Sequence, residues 1–158
     1  MLSKEKANLL VPQGSAVRHF PARLAETLPL PGSVAPVLGK ALAARGIREL
    51  YTHQYDSFEH VTAGKNVVVV TPTPSGKTLC YNLPVLNTLI ADPGARAMYL
   101  FPTKALAEDQ LNEFHAAVEA SGLDIKAFTY DGDTPQSARK GIRERANVVF
   151  TNPDMLHS

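Results

Sequence analysis

The spacing of apolar residues changes twice along the chain. Between Met1 and about Val37, Pro12, Gly14, Pro21, Pro29, Pro31, Gly32 and Pro36 interrupt every periodicity, so this segment reads as an irregular, extended arm. From Val37 the run VLGKALAARG puts Leu38, Ala41 and Leu42 on one helical face, with Gly46 as the stop. A second helix is expected over about 52–62, with Tyr55, Phe58 and Val61 close together on it and Gly64 at its end. Four short β-branched or aromatic runs follow, NVVVV (66–70), AMYLF (97–101), KAFTY (126–130) and NVVFT (147–151). Helices are expected between them at about 77–90, 104–120 and 136–145, with Gly122 terminating the second. Strands alternating with helices predict an α/β fold, a parallel sheet with crossover helices. Runs such as VVVV fit strands that are buried on both faces.

Composition narrows this picture without redirecting it. The 158 residues are 44% hydrophobic and 20% charged, enough for one domain with a sizeable core. The net charge of +1 supplies no general field to attract a polyanion, so any nucleic-acid binding must come from local motifs. Cys80 is the single cysteine and cannot form an internal disulfide. The opening MLSKEKANLLVPQG has too short an apolar stretch for a signal peptide, and no apolar run approaches the roughly 20 residues that span a bilayer. The expectation is a cytoplasmic protein with no membrane contact.

In open parallel sheets, ligands bind beyond the carboxyl ends of the strands. Here each expected strand runs into a polar, turn-rich segment, TPTPSGKT, PTK, DGDT or TNPD, and all four are expected along one edge. The first carries the chemistry. Ser75-Gly76-Lys77-Thr78 lies between strand and helix, where backbone N–H groups at a helix N-terminus wrap phosphate oxygens. Lysine brings positive charge to the β- and γ-phosphates, the Thr78 hydroxyl is suited to bind Mg²⁺, and glycine lets the backbone approach closely. The general phosphate-loop pattern asks for glycine where this chain has Thr71. The competing reading is a Pro-rich turn before a helix whose lysine is merely exposed.

The loop together with the following LCYNLPVL resembles motif I of the superfamily-two DEAD/DEAH-box helicases, a family that commonly has Ala or Thr in place of that first glycine. LYTHQ (50–54) is similar to the Q motif, FPTKALAEDQ (101–110) to motif Ia, YDGDT (130–134) to the glycine-containing nucleic-acid loop, and TNPD (151–154) to motif Ib. The likeness runs from about Gly46 to His157 and is closest to the RecQ-related DNA-repair branch. It implies an N-terminal part of a RecA-like P-loop NTPase domain over 38–158, incomplete, behind an arm at 1–37. It also implies ATP and Mg²⁺ as cofactors. Tyr51 would stack near the base and Gln54 read its adenine edge, while Thr73, Pro74, Ser75, Gly76, Lys77 and Thr78 form the phosphate cradle. Lys77 and Thr78 would be the catalytic pair, holding triphosphate and Mg²⁺. Thr103, Lys104, Gly132, Asp133, Thr151, Asn152 and Asp154 would face a strand of single-stranded or duplex nucleic acid, DNA by resemblance, through contacts that position it without reading sequence. Against this, Thr103 and Thr151 are equally suited to cap helices, and Asp131 and Asp133 to make turn hydrogen bonds.

The chain departs from the family at two points. Pro74 stands where Gly or Ala is usual and offers no N–H, so ATP is expected to bind more weakly than it would to a Pro74→Gly variant. The acidic motif that holds Mg²⁺ and positions water for hydrolysis does not occur, nor do the later helicase motifs, so the chain alone is expected to be inactive. An exposed apolar sheet edge and self-association through it follow from the same reading. A binding module that takes nucleotide or nucleic acid without hydrolysis is the second function class, and a small P-loop kinase, lacking any lid arginines here, a distant third. The five histidines show no metal-ligand spacing. Cys80 reads as packing, Pro84 as a helix kink, and Arg139, Lys140, Arg143 and Arg145 as a solvated basic face.

Overall fold

The computed structural model describes residues 25–71 and 75–156. In chain order the elements are β1 (Thr27–Pro29), α1 (Pro36–Ala44), β2 (Glu49–Tyr51), α2 (Thr52–Thr62), α3 (Lys77–Ala91), β3 (Ala97–Leu100), α4 (Lys104–Ala120), β4 (Ala127–Thr129), α5 (Gln136–Arg145), β5 (Val148–Thr151) and a 3₁₀ turn at Pro153–Leu156. Strands β3, β5 and β4 form a parallel sheet in that order, with Tyr99 opposite Phe150 and Thr129 opposite Phe150 on the other side. Glycines end the helices as expected: Gly46, Gly64 and Gly122 all take positive φ just beyond α1, α2 and α4.

The core lies between the sheet and α3 and α4. Tyr99 stacks on Phe150 with ring centroids 4.5 Å apart, and Phe114 of α4 meets both edge-on. Leu38 and Leu42 of α1, Phe58 of α2 and Leu83, Leu86 and Leu89 of α3 extend the same cluster. On α2, Phe58 is fully buried and Tyr55 half-buried, whereas Val61 is exposed. Helix α3 continues through Pro84, whose carbonyl accepts the Thr88 hydroxyl at 2.9 Å.

Two features differ from the sequence reading. Residues 66–70 form no strand: Val68 and Val70 are 88% and 89% exposed, and only Val67 and Val69 are half-buried. A β-branched run favours extended backbone, but a ladder also needs a neighbouring strand, and among the described residues none pairs with this segment. The sheet is also not buried on both faces. Met98, Val149 and Phe128 sit side by side in register on the face opposite Tyr99 and Phe150, and Met98 and Phe128 are exposed, as is Leu100.

Part of the segment expected to be irregular is ordered as well. Thr27–Pro29 pairs antiparallel with Glu49–Tyr51, and Thr52 N–H donates to the Glu26 carbonyl. Among the described residues no helix is long and apolar enough to cross a membrane.

Candidate functional site

The site is built where two helices begin. Gly76 caps α3 with φ +67°, a conformation that costs a side-chain-bearing residue about 1 to 2 kcal/mol. A Cβ there would lie 2.7 Å from Gln54 Nε2, so a larger residue would push away the amide that meets this turn. Gln54, buried in the first turn of α2, uses both halves of its amide: Oε1 accepts the Tyr51 N–H at 3.0 Å and Nε2 donates to the Gly76 carbonyl at 2.9 Å. One N–H and one lone pair of that amide remain for a ligand.

Lys77 opens α3, and its ammonium folds back into the loop. Nζ donates to the Thr71 carbonyl at 3.0 Å and to the Thr71 and Ser75 hydroxyls, each at 3.3 Å. The two hydroxyls are themselves paired at 2.5 Å. Thr71, the position that departs from the general phosphate-loop pattern, thus supplies two of the oxygens that hold the lysine. Thr73 and Pro74 lie outside the described residues.

Two residues that spacing did not flag complete this region. His53 Nε2 pairs with the Ser75 carbonyl at 2.8 Å, and its ring lies nearly parallel to Tyr51, 5.7 Å away. Its place beside Gln54 in the helix start was the available signal. Tyr81 directs its hydroxyl to both Thr78 Oγ1, at 3.4 Å, and Gln110 Oε1, at 2.7 Å. Tyr51, Gln54, Gly76 and Thr78 line one end of a cavity of about 770 Å³, which extends over Leu38, Leu42 and Leu83. Behind the loop, Cys80 is buried, and that burial pushes its thiol pKa up.

Three of the four strand-end loops converge. Phe101 N–H donates to the Thr151 carbonyl and Tyr130 N–H to the Phe150 carbonyl, while Thr151 Oγ1 donates to the Tyr130 carbonyl. Lys104 Nζ donates to Asp133 Oδ2 at 2.6 Å, and Gly132 brings its backbone close to the same ammonium. That carboxylate, with Asp131 and Asp154 nearby, raises the Lys104 pKa. The first loop is joined to this group through α3, because residues 66–70 do not enter the sheet.

The competing roles sort themselves by residue. Thr103 caps α4, accepting the Leu106 N–H at 3.2 Å. Thr151 caps nothing: it is buried and its hydroxyl is spent on β4's end, while Asn152 Oδ1 receives the Met155 N–H of the 3₁₀ turn. Asp131 makes the turn hydrogen bonds, accepting the N–H groups of Asp133 and Thr134, whereas the Asp133 side chain faces Lys104. Asp154 is exposed. Of the basic run on α5, Arg139 turns inward to clamp the loop, bonding the Thr134 and Asp131 carbonyls and lying over the Tyr130 ring, and Lys140 pairs with Glu144. His115 bonds the Ala127 carbonyl. Among the described residues no cluster of His, Cys, Asp or Glu is arranged to hold a metal ion.

Known proteins resemble this chain in sequence and in fold. The chain is 55% identical over 136 residues to the uncharacterized ATP-dependent helicase YprA of Bacillus subtilis, matching 86% of this chain and 18% of that protein. It is 38% identical to the ATP-dependent helicase HRQ1 of Saccharomyces cerevisiae, over 91% of this chain and 14% of that one. Among solved structures, the DUF1998 helicase MrfA bound to DNA and AMPPNP superposes with a TM-score of 0.83 at 55% identity, covering 86% of this chain and 19% of that chain. The chain therefore spans less than a fifth of the length of each of these three proteins. The DEAD/DEAH box helicase family matches residues 51–158, and with the loop, the parallel sheet and these relatives in agreement, this chain belongs to that family.

Proposed function

We propose that this chain is the ATP-binding segment of an ATP-dependent DNA helicase. The observation that carries the reading is the closure of the Gly76 loop on Gln54 with the Lys77 ammonium gathered inside it. A triphosphate would take the place of the Thr71 and Ser75 oxygens around Lys77 Nζ. Thr78, at the same helix start, would bind Mg²⁺ together with phosphate oxygens. Tyr51, half-exposed beside His53, offers a face for the base, and Gln54 has the remaining donor and acceptor to meet its edge. Bound ATP supplies the phosphoanhydride whose cleavage powers a helicase. The chain's own residues bind and orient it.

Thr103, Lys104, Gly132, Asp133, Thr151, Asn152 and Asp154 belong to the second surface. Thr103, Lys104, Gly132, Asp133 and Asp154 are exposed, and we assign the Thr103 hydroxyl, the Lys104 ammonium and the Gly132 N–H to phosphates and sugars, with the Asp133 carboxylate holding the ammonium until a phosphate takes its place, while Thr151 and Asn152 act by holding the loops in place. DNA is favoured because MrfA, at 55% identity, was crystallised with it. We place the segment in the cytoplasm, as the anterior part, from residue 38, of a RecA-like domain. The exposed Met98, Leu100 and Phe128 support self-association of this chain.

Calorimetry of Mg²⁺ and AMPPNP against the chain and its Lys77→Ala variant tests the reading. Binding that the variant loses is the expected result. No binding to the parent chain would overturn it.

A further inference from the structure

The loop 101–104 is held from both sides by the helix that starts at the phosphate loop. Before it, Tyr99 of β3 donates its hydroxyl to Asn82 Oδ1 at 3.0 Å. After it, Gln110 of α4 receives the hydroxyl of Tyr81 at 2.7 Å. Residues 81 and 82 are adjacent on α3, so one point on this helix grips both elements that flank Thr103 and Lys104.

The two grips differ in what else they touch. Tyr99 and Asn82 are both buried and meet within the core, which makes their bond a fixed anchor. Tyr81 is half-buried and lies one turn from Thr78, whose Oγ1 is 3.4 Å from the phenol oxygen. A phenol has one proton, and the shorter contact assigns it to Gln110. With the phenol proton on Gln110, the Thr78 hydroxyl, 3.4 Å away, is left to turn its own proton toward the phenol oxygen when the two draw together. That gives a directional chain from Thr78 Oγ1–H to Tyr81 Oη–H to Gln110 Oε1. A cation on the Thr78 oxygen polarises its O–H, and polarisation strengthens each later bond in such a chain.

We infer that Tyr81 is a positioning residue that carries nucleotide occupancy at Thr78 to the Thr103–Lys104 loop through Gln110. The inference rests on the proposed nucleotide site and goes beyond it by naming how that site communicates with the second surface. Gln110 lies two turns beyond the Thr103 cap, on the same side of α4, so a shift at Gln110 moves the start of the helix as a rigid piece.

The test compares the 158-residue chain with Tyr81→Phe, which keeps the ring packed edge-on against Tyr99 and removes only the hydroxyl. Kd for a single-stranded oligonucleotide is measured with and without Mg²⁺ and AMPPNP, and AMPPNP binding is titrated separately. In the parent chain nucleotide changes the oligonucleotide Kd. In Tyr81→Phe, with AMPPNP present at a concentration that saturates the variant by its own titration, the ratio of the two oligonucleotide Kd values falls toward one. Gln110→Leu gives the same loss, and the double variant loses no more. Amide exchange in the first two turns of α4 reads the relay independently, with protection responding to AMPPNP in the parent and not in Tyr81→Phe. An undiminished response in Tyr81→Phe, or a loss there that Gln110→Leu does not share, overturns the relay. So does a parent chain that binds AMPPNP without any response in α4. A parent that binds no AMPPNP overturns the nucleotide site itself, and the relay with it.

Discussion

The ammonium of Lys104 and the carboxylate of Asp133 lie 2.6 Å apart across two strand-end loops. A phosphate that reaches Lys104 must displace Asp133 or share the ammonium with it. Asp133→Asn is therefore expected to tighten binding of a single-stranded oligonucleotide and to steepen its salt dependence by about 0.7 in log–log slope. Lys104→Ala should weaken binding for every sequence alike and flatten the slope by a similar amount, as read by fluorescence anisotropy at several salt concentrations.

Gln54 joins the start of α2 to the start of α3. Its replacement by Ala removes the side-chain partner of the Tyr51 N–H and takes one of two donors from the Gly76 carbonyl, which keeps the Leu79 N–H at 3.2 Å. A group left unsatisfied costs about 1 to 3 kcal/mol. Thermal unfolding should fall by roughly 2–4 °C per kcal/mol for a chain of this size, and AMPPNP affinity should fall with it.

The helix boundaries were legible where local chemistry decides them. Glycines after α1, α2 and α4 need positive φ, and Thr103 caps α4 with its own side chain, so each signal sits in the sequence at the place where it acts. The strand at 27–29 was hidden because TLP stands among prolines and is only three residues long. The missing strand at 66–70 shows the reverse error: VVVV states a preference, and pairing is decided elsewhere in the chain. In the site, Ser75-Gly76-Lys77-Thr78 announced itself by pattern. His53 and Tyr81 did not, since their partners Ser75 and Gln110 are 22 and 29 residues away.

Tyr99→Phe should destabilise the chain by about 1 to 3 kcal/mol in urea, because the buried Asn82 loses its donor while its own polar atoms stay in the core. Adding Asn82→Leu to Tyr99→Phe should recover much of that loss. The pair of measurements separates an orphaned polar group from a packing defect.

Cys80 is held as a protonated thiol by burial. Its folded pKa lies above the ordinary value of 9.0, so the stability it contributes is complete below about pH 9 and is lost as pH rises through the folded value. Iodoacetamide should label Cys80 slowly in the native chain at pH 8 and rapidly in denaturant, as followed by mass spectrometry.

Met98, Val149 and Phe128 line up across three strands on the open face of the sheet. If copies of the chain meet there, light scattering should show mass rising with concentration, and Met98→Lys should shift the population toward monomer at equal concentration.

The short ladder between residues 27–29 and 49–51 gives the chain a handle. Tyr51 is the last residue of that ladder and the first contact of Gln54, and Thr52 is tied to Glu26. A displacement of residues 27–29 is thus passed through the ladder to Tyr51, which lines the cavity, and to the first turn of α2.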